Sequence, residues 1–200
     1  MTYSSSLQPD TPGALDICNA ALAKIGEAPL ENLIVNQSTA SQLCILFYHP
    51  SRREVLSLAR WTFATKEQRL TSIAGMKEQP GIRNCYSFSL PGDCLRVLNV
   101  HTHYWKLQGK TIYAWEPTIR LTYLADIENV ELFDPLFMDA LATKLAEKIE
   151  VPLTGSHSLR SALQQEFHKV ILPQASATNL YQAYSNDETP LNQILKKHLR

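Results

Sequence analysis

The sequence predicts an α+β protein: an antiparallel bundle of about four helices with an antiparallel β-sheet lobe inserted into it. Three observations carry this. Residues 12–60 and 132–183 place apolar side chains at helical spacing, residues 62–125 read as short β-branched and aromatic runs, and those runs are too closely spaced for crossover helices. The predicted organisation is 1–11 a flexible N-terminus, 12–61 the first part of the bundle and 62–131 the β lobe. Residues 132–184 form the second part of the bundle and 185–200 an amphipathic C-terminal tail.

Thr11-Pro12 announces the first helix as a cap and a first helical residue, and Cys18, Ala21, Leu22 and Ile25 form its stripe. Gly26 and Pro29 stop it. Ser38 caps a second helix over 38–60, in which Cys44, Phe47 and Tyr48 recur eleven residues later as Val55, Leu58 and Ala59. Eleven residues are close to three turns, so one face persists through Pro50, where a bend is expected. Leu43 joins the same stripe.

The runs TFATKEQRL, CYSFSL, LRVLNVHTH, YWKL, KTIYAW and IRLTYL follow. Turn signals at Gly75, Pro80-Gly81, Pro91-Gly92, Gln108-Gly109 and Pro117 separate them. Asp134-Pro135 then opens a third helix with the ridge Phe137, Leu141, Leu145 and Ile149, flanked by Ala140, Ala142 and Ala146. Pro152 and Gly155 are expected to end it. A fourth helix over about 156–183 carries Leu159, Leu163, Phe167, Val170 and Ile171, with Pro173 as a disturbance.

Composition narrows the function. Hydrophobic residues are 44% and charged residues 19%, as in a folded globular chain. Nineteen basic residues balance nineteen acidic ones, so no basic excess points to phosphate-driven DNA binding. The longest apolar run, LCILFY at 43–48, is too short to span a bilayer. MTYSSSLQPD has neither a basic start nor an apolar stretch, so synthesis into a cytoplasm is expected. Cysteines 18, 44, 85 and 94 form no Cys-x-x-Cys pair, which favours reduced, buried thiols over disulfides or zinc.

Four constellations could carry chemistry, and each has a plainer structural explanation that the sequence favours. Gly109-Lys110-Thr111 imitates the end of a phosphate loop, but Tyr104 stands where another glycine is needed and a strand follows, so a hairpin turn is expected. His101 and His103 share one face of a predicted strand but lack a third metal ligand at a recognisable spacing. Ser156-His157-Ser158 lacks a nucleophile elbow, and Ser156 suits a helix cap. The acids Asp126, Glu128, Glu131 and Asp134 could hide a glycosidase pair, yet acids ahead of a helix also suit its dipole. No catalytic, metal or cofactor site is assigned, and no cofactor is expected.

Taken together, DICNAALAKIGEAPLENL, SQLCILFYHPSRREVLSLARWTFAT, YSFSLPGDCLRVLNV and FDPLFMDALATKLAEKIEVPLTGS resemble the tail tubular protein A family. These are head–tail adaptors of short-tailed bacteriophages and prophages. The resemblance covers about residues 12–180 in order, and rests on four blocks together with Arg-Val-Leu after a Pro-Gly turn and Pro-Leu-Thr-Gly-Ser after the long helix. The last fifteen residues and the loop 71–82 have no counterpart.

The resemblance implies a non-enzymatic virion component at the head–tail junction, present in the host cytoplasm during assembly. Its copies would form a ring, twelve-fold by family expectation, beneath the portal protein, extend the DNA exit channel and offer a platform to the tail nozzle protein. DNA would pass through without specific binding, and no membrane would be involved. The amphipathic tail, with Leu191, Ile194, Leu195 and Leu199 on one face and Lys196, Lys197 and Arg200 at its end, is the expected portal-docking element. The rival reading is a peptidoglycan hydrolase acting during infection through the acids at 126–134. A small DNA-binding regulator is the third, disfavoured by the missing basic stripe.

Overall fold

The computed structural model describes residues 12–35, 38–79 and 82–184. The fold is α+β, with four helices and two small antiparallel sheets among the described residues. The chain divides into two compact units. The helical segments up to Phe63 and from Glu128 onward make one, and Ala64–Ile127 the other.

In the helical unit, α1 is Pro12–Lys24 and α2 is Thr39–Leu58. Gly26 adopts a left-handed conformation (φ 78°) after α1. That turn lets Glu27 N–H reach Leu22 O at 3.0 Å and Gly26 N–H reach Ala23 O at 3.2 Å, satisfying carbonyls that a helix end leaves open. Asn19 fastens the following loop to α1 by two bonds with Leu30, donating to its O at 3.0 Å and accepting from its N–H at 2.8 Å. Ser38 caps α2 by accepting from Ser41 N–H at 3.2 Å.

The buried face of α2 differs from the apolar stripe read in the sequence. It consists of Ser41, Cys44, Tyr48, Ser51, Arg52, Val55 and Leu56, whereas Leu58 is exposed and Leu43 and Phe47 are half-buried. Two polar residues, Ser51 and Arg52, take the turn after Pro50, so hydrophobicity alone pointed to a neighbouring face. The helix continues through Pro50.

A single 3₁₀ turn, Val130–Leu132, leads into α3, Pro135–Thr154. Asp134 caps α3 by accepting from Phe137 N–H at 2.7 Å, and Pro135 needs no donor there. Phe137, Leu141, Leu145 and Ile149 are fully buried, with Ala140, Ala142 and Ala146 beside them. Each large side chain of that ridge contributes about 1.5–3 kcal/mol of apolar burial. Pro152 does not end the helix. It lies in the last turn, and the stop falls at Gly155 (φ 73°), whose N–H bonds Val151 O at 3.0 Å.

The last helix is one rod in three segments: α4, His157–Glu166, a π-helical turn, Phe167–Ile171, and α5, Leu172–Tyr184. Leu163, Phe167, Ile171, Ala175 and Asn179 are buried, a strict i+4 ladder, while Val170 is exposed. Such a ladder drifts about 40° per step on an ideal α-helix. The wider π turn takes up that drift, and it ends two residues before Pro173, whose ring crowds the preceding turn. Asn179 closes the unit, accepting from Thr62 N–H at 3.0 Å and donating to Ala175 O at 3.0 Å. Trp61, Phe63, Phe133 and Phe137 form an aromatic cluster with ring centroids 4.7–6.1 Å apart.

The described residues of the β unit form seven strands: β1 Thr65–Thr71, β2 Ala74–Gln79, β3 Ile82–Ser89, β4 Cys94–Val100, β5 Trp105–Gln108, β6 Thr111–Ala114 and β7 Thr118–Ala125. They form two sheets, β1-β7-β4 and β2-β3-β6-β5, with every pairing antiparallel. Gly75, expected in a turn, lies within β2. The pairing of β2 with β3 and that of β4 with β7 carry register shifts, whereas β1–β7 and β5–β6 run without one.

Candidate functional site

The residues with chemical potential are engaged locally. Ser156 accepts from Leu159 N–H at 3.4 Å, and its hydroxyl lies 3.1 Å from that of Ser158. It is the cap of α4, and His157 is the first helical residue. Gly109 (φ 58°) and Lys110 make the two-residue turn between β5 and β6. The left-handed φ is what such a turn requires.

The histidines depart from expectation. β4 ends at Val100, so His101 and His103 lie in the bend before β5 and not on a strand face. The ring of His101 pairs with Thr122 through Nε2 and Oγ1 at 3.0 Å, and Nε2 is 4.0 Å from Glu67 Oε1. Among the described residues, no group of three or more His, Cys, Asp or Glu is arranged to hold a metal ion. No helix of the described residues is long and apolar enough to cross a membrane.

The acids at 126–134 are spread over different tasks. Asp134 caps α3. Glu128 accepts from the guanidinium of Arg52 at 3.2 Å, while Arg52 itself is almost wholly buried on α2. Glu131 sits in the 3₁₀ turn, its N–H bonded to Asn129 Oδ1 at 3.1 Å. Asp126 belongs to the β unit, and its N–H donates to Asp93 O at 2.7 Å. The structure therefore gives Asp134 and Glu128 structural partners. No disulfide joins any of the four cysteines. Cys18 and Cys44 are buried and face each other across α1 and α2, and the hydrogen bond between them together with burial pushes the Cys18 thiol up.

Sequence reading missed a charge network centred on two buried residues, Lys144 and Glu147. Lys144 Nζ lies 2.9 Å from Glu147 Oε2 and 3.0 Å from Glu54 Oε1, and Lys148 Nζ lies 2.7 Å from Glu54 Oε2. Lys144 and Glu147 are i, i+3 neighbours on α3, a spacing that usually marks a solvated face. Only the partner from α2 shows that this face is enclosed. Burial opposes charge on Glu54, but the ammoniums of Lys148 and Lys144 outweigh it and hold its carboxyl below the usual range.

A second cluster holds the β unit. Lys66 Nζ is 2.7 Å from Asp93 Oδ2, and Tyr123 OH donates to Asp93 Oδ1 at 3.1 Å. Burial first, then the bond to the Asp93 carboxylate, pushes the Tyr123 phenol up to about 12. The aromatic surface of β5 and its neighbours also went unremarked. Tyr104, Trp105, Leu107 and Trp115 are exposed, with the Tyr104 and Trp115 rings 4.4 Å apart between centroids.

The proposed portal-docking residues, Leu191, Ile194, Leu195, Lys196, Lys197, Leu199 and Arg200, lie outside the described residues. No protein-family model matches this chain, and no curated protein matches it.

Proposed function

We propose that this chain is a structural subunit of a phage head–tail connector. Copies assemble as a ring beneath the portal protein, extend the DNA exit channel and present a platform to the tail nozzle protein. The observation that carries the reading is the ordered set of four sequence blocks resembling the tail tubular protein A family. They fall on α1 with its C-terminal turn, on α2 with its aromatic exit, on β3–β4, and on α3 with both of its caps. These are the segments that build the helical core and join the two sheets, so the resemblance follows the architecture and not a surface loop.

Two physical features support the role. The balance of nineteen basic and nineteen acidic residues suits a channel wall that lets DNA pass without gripping its phosphates. Three of the side chains that could have served a hydrolase have structural partners, with Asp134 and Ser156 on helix N-termini and Glu128 on Arg52. The tail at 191–200 docks on the portal by coupled folding, burying its apolar face while losing chain entropy. Removing 186–200 is the test of that element, because unchanged assembly onto portal rings contradicts it. Electron microscopy of the full chain mixed with its portal tests the function as a whole.

A further inference from the structure

Each sheet of the β unit has two outer strands, and in each sheet one of them is irregular. β2 and β4 carry register shifts, a device that discourages further pairing. β1 and β5 run without any, and both are exposed along most of their length. These are the two open, regular edges of the described sheets.

The backbone parity of each edge follows from its hydrogen bonds. Ala125 N–H bonds Ala64 O and Ser72 N–H bonds Pro117 O, so even-numbered residues of β1 turn their backbone groups toward β7. Thr65, Glu67, Arg69 and Thr71 turn theirs outward. The two-residue turn at Gly109-Lys110 makes Gln108 and Thr111 a hydrogen-bonded pair, so Lys106 and Gln108 face β6. Trp105 and Leu107 are left with outward N–H and C=O groups.

Arg69 stands directly opposite Arg120 across β1 and β7. Both are exposed, and neither has an ion-pair partner among the described residues. Like charges in direct opposition destabilise a sheet. A neighbouring strand that brings an electron-rich ring beside Arg69 relieves the pair.

We propose that copies of this chain join edge to edge, β5 of one copy adding antiparallel to β1 of the next, with Trp105 opposite Arg69. Backbone parity then sets Leu107 opposite Glu67 and Lys106 opposite Gln68, and Tyr104 falls beside Leu70. A shift of two residues one way opposes Lys106 with Lys66, and a shift the other way loses the ring over Arg69. Pairing β5 with β5 of a second copy sets either Lys106 against Lys106 or Leu107 against Leu107, and in neither register does a ring reach Arg69. The contact is head-to-tail, the kind whose repetition builds a ring where the rotation closes. The choice of a second copy as occupant rests on the connector reading above.

The test uses two full-length preparations, Gln68→Cys and Lys106→Cys, each checked for native circular dichroism. In the proposed register these positions form a non-hydrogen-bonded pair with Cα atoms about 4.5 Å apart, within disulfide reach. The mixture, oxidised with or without portal present, gives a cross-linked dimer that neither preparation gives alone. Adding Trp105→Ala to the Lys106→Cys chain lowers the yield several-fold. A dimer from Lys106→Cys alone overturns the proposal in favour of β5 against β5, and no mixture-specific dimer under either condition overturns it outright. Rings on the portal without this cross-link sink the edge pairing and spare the connector reading. The cross-link without any ring does the reverse.

Discussion

The ammonium of Lys144 lies 4.9 Å from the centroid of the Phe167 ring, inside the helical unit. It is held there by Glu147 and Glu54, so α2, α3 and the π turn meet at one charge. Removing that charge leaves Glu147 enclosed without its cation. Lys144→Met is therefore expected to cost about 3–5 kcal/mol, whereas Lys144→Met with Glu147→Met costs far less. Urea denaturation of the two variants checks this, and equal losses in both would mean that packing, not charge, dominates.

The same network sets a pH dependence. The Glu54 carboxyl is held low in the folded chain, so its contribution is fully present above the ordinary carboxylate range of about 4.3. As pH falls the unfolded chain takes up the proton first, and the contribution is lost on the way down to the folded value. Burial opposes charge on Lys144, but Glu147 and Glu54 outweigh it and hold the ammonium above its usual range. Its contribution is complete below the ordinary lysine value and is lost as pH rises through the folded one. Glu54→Gln is expected to flatten the acid limb of a Tm-against-pH curve.

Gly13 offers a steric prediction within α1. A Cβ there would stand 2.6 Å from Val130 Cγ1. Alanine in place of glycine normally gains about 0.5–1 kcal/mol in a helix, but here the contact reverses the sign. Gly13→Ala is expected to destabilise, and Val130→Ala in the same chain to restore most of the loss. A thermal double-mutant cycle measures the coupling, and additive losses would contradict the account.

The two helix caps differ in strength. Asp134 accepts at 2.7 Å and Ser156 at 3.4 Å. Asp134→Ala is expected to cost about 1 kcal/mol and Asp134→Asn little, with Ser156→Ala at the low end of the capping range. Chemical denaturation orders the three.

These elements also show what a sequence can reveal. The third helix was legible because its cap, ridge and stop are local and each has one cause. The buried face of α2 was not, because it includes Arg52, whose partner Glu128 lies 76 residues further on. β2 went unseen because AGMKEQ lacks the β-branched and aromatic residues that mark a strand, and its pairing with β3 supplies the order. His101 and His103 were set on a strand by alternation, whereas the chain leaves the sheet after Val100. The charge of Lys144 was visible at once, and its enclosure only in three dimensions.

A hydrolase reading makes its own demand on the acids. Under the connector account, turbidity of cell-wall preparations stays constant with the native chain and with Glu128→Gln and Glu131→Gln alike. Clearing by the native chain that either variant abolishes would place catalysis in that cluster.

The central claim is assembly on a portal, and electron microscopy of the full chain mixed with portal rings tests it most directly. The account predicts an added ring of density beneath the portal, coaxial with its channel and absent from portal alone. Unaltered portal particles at saturating protein would contradict it.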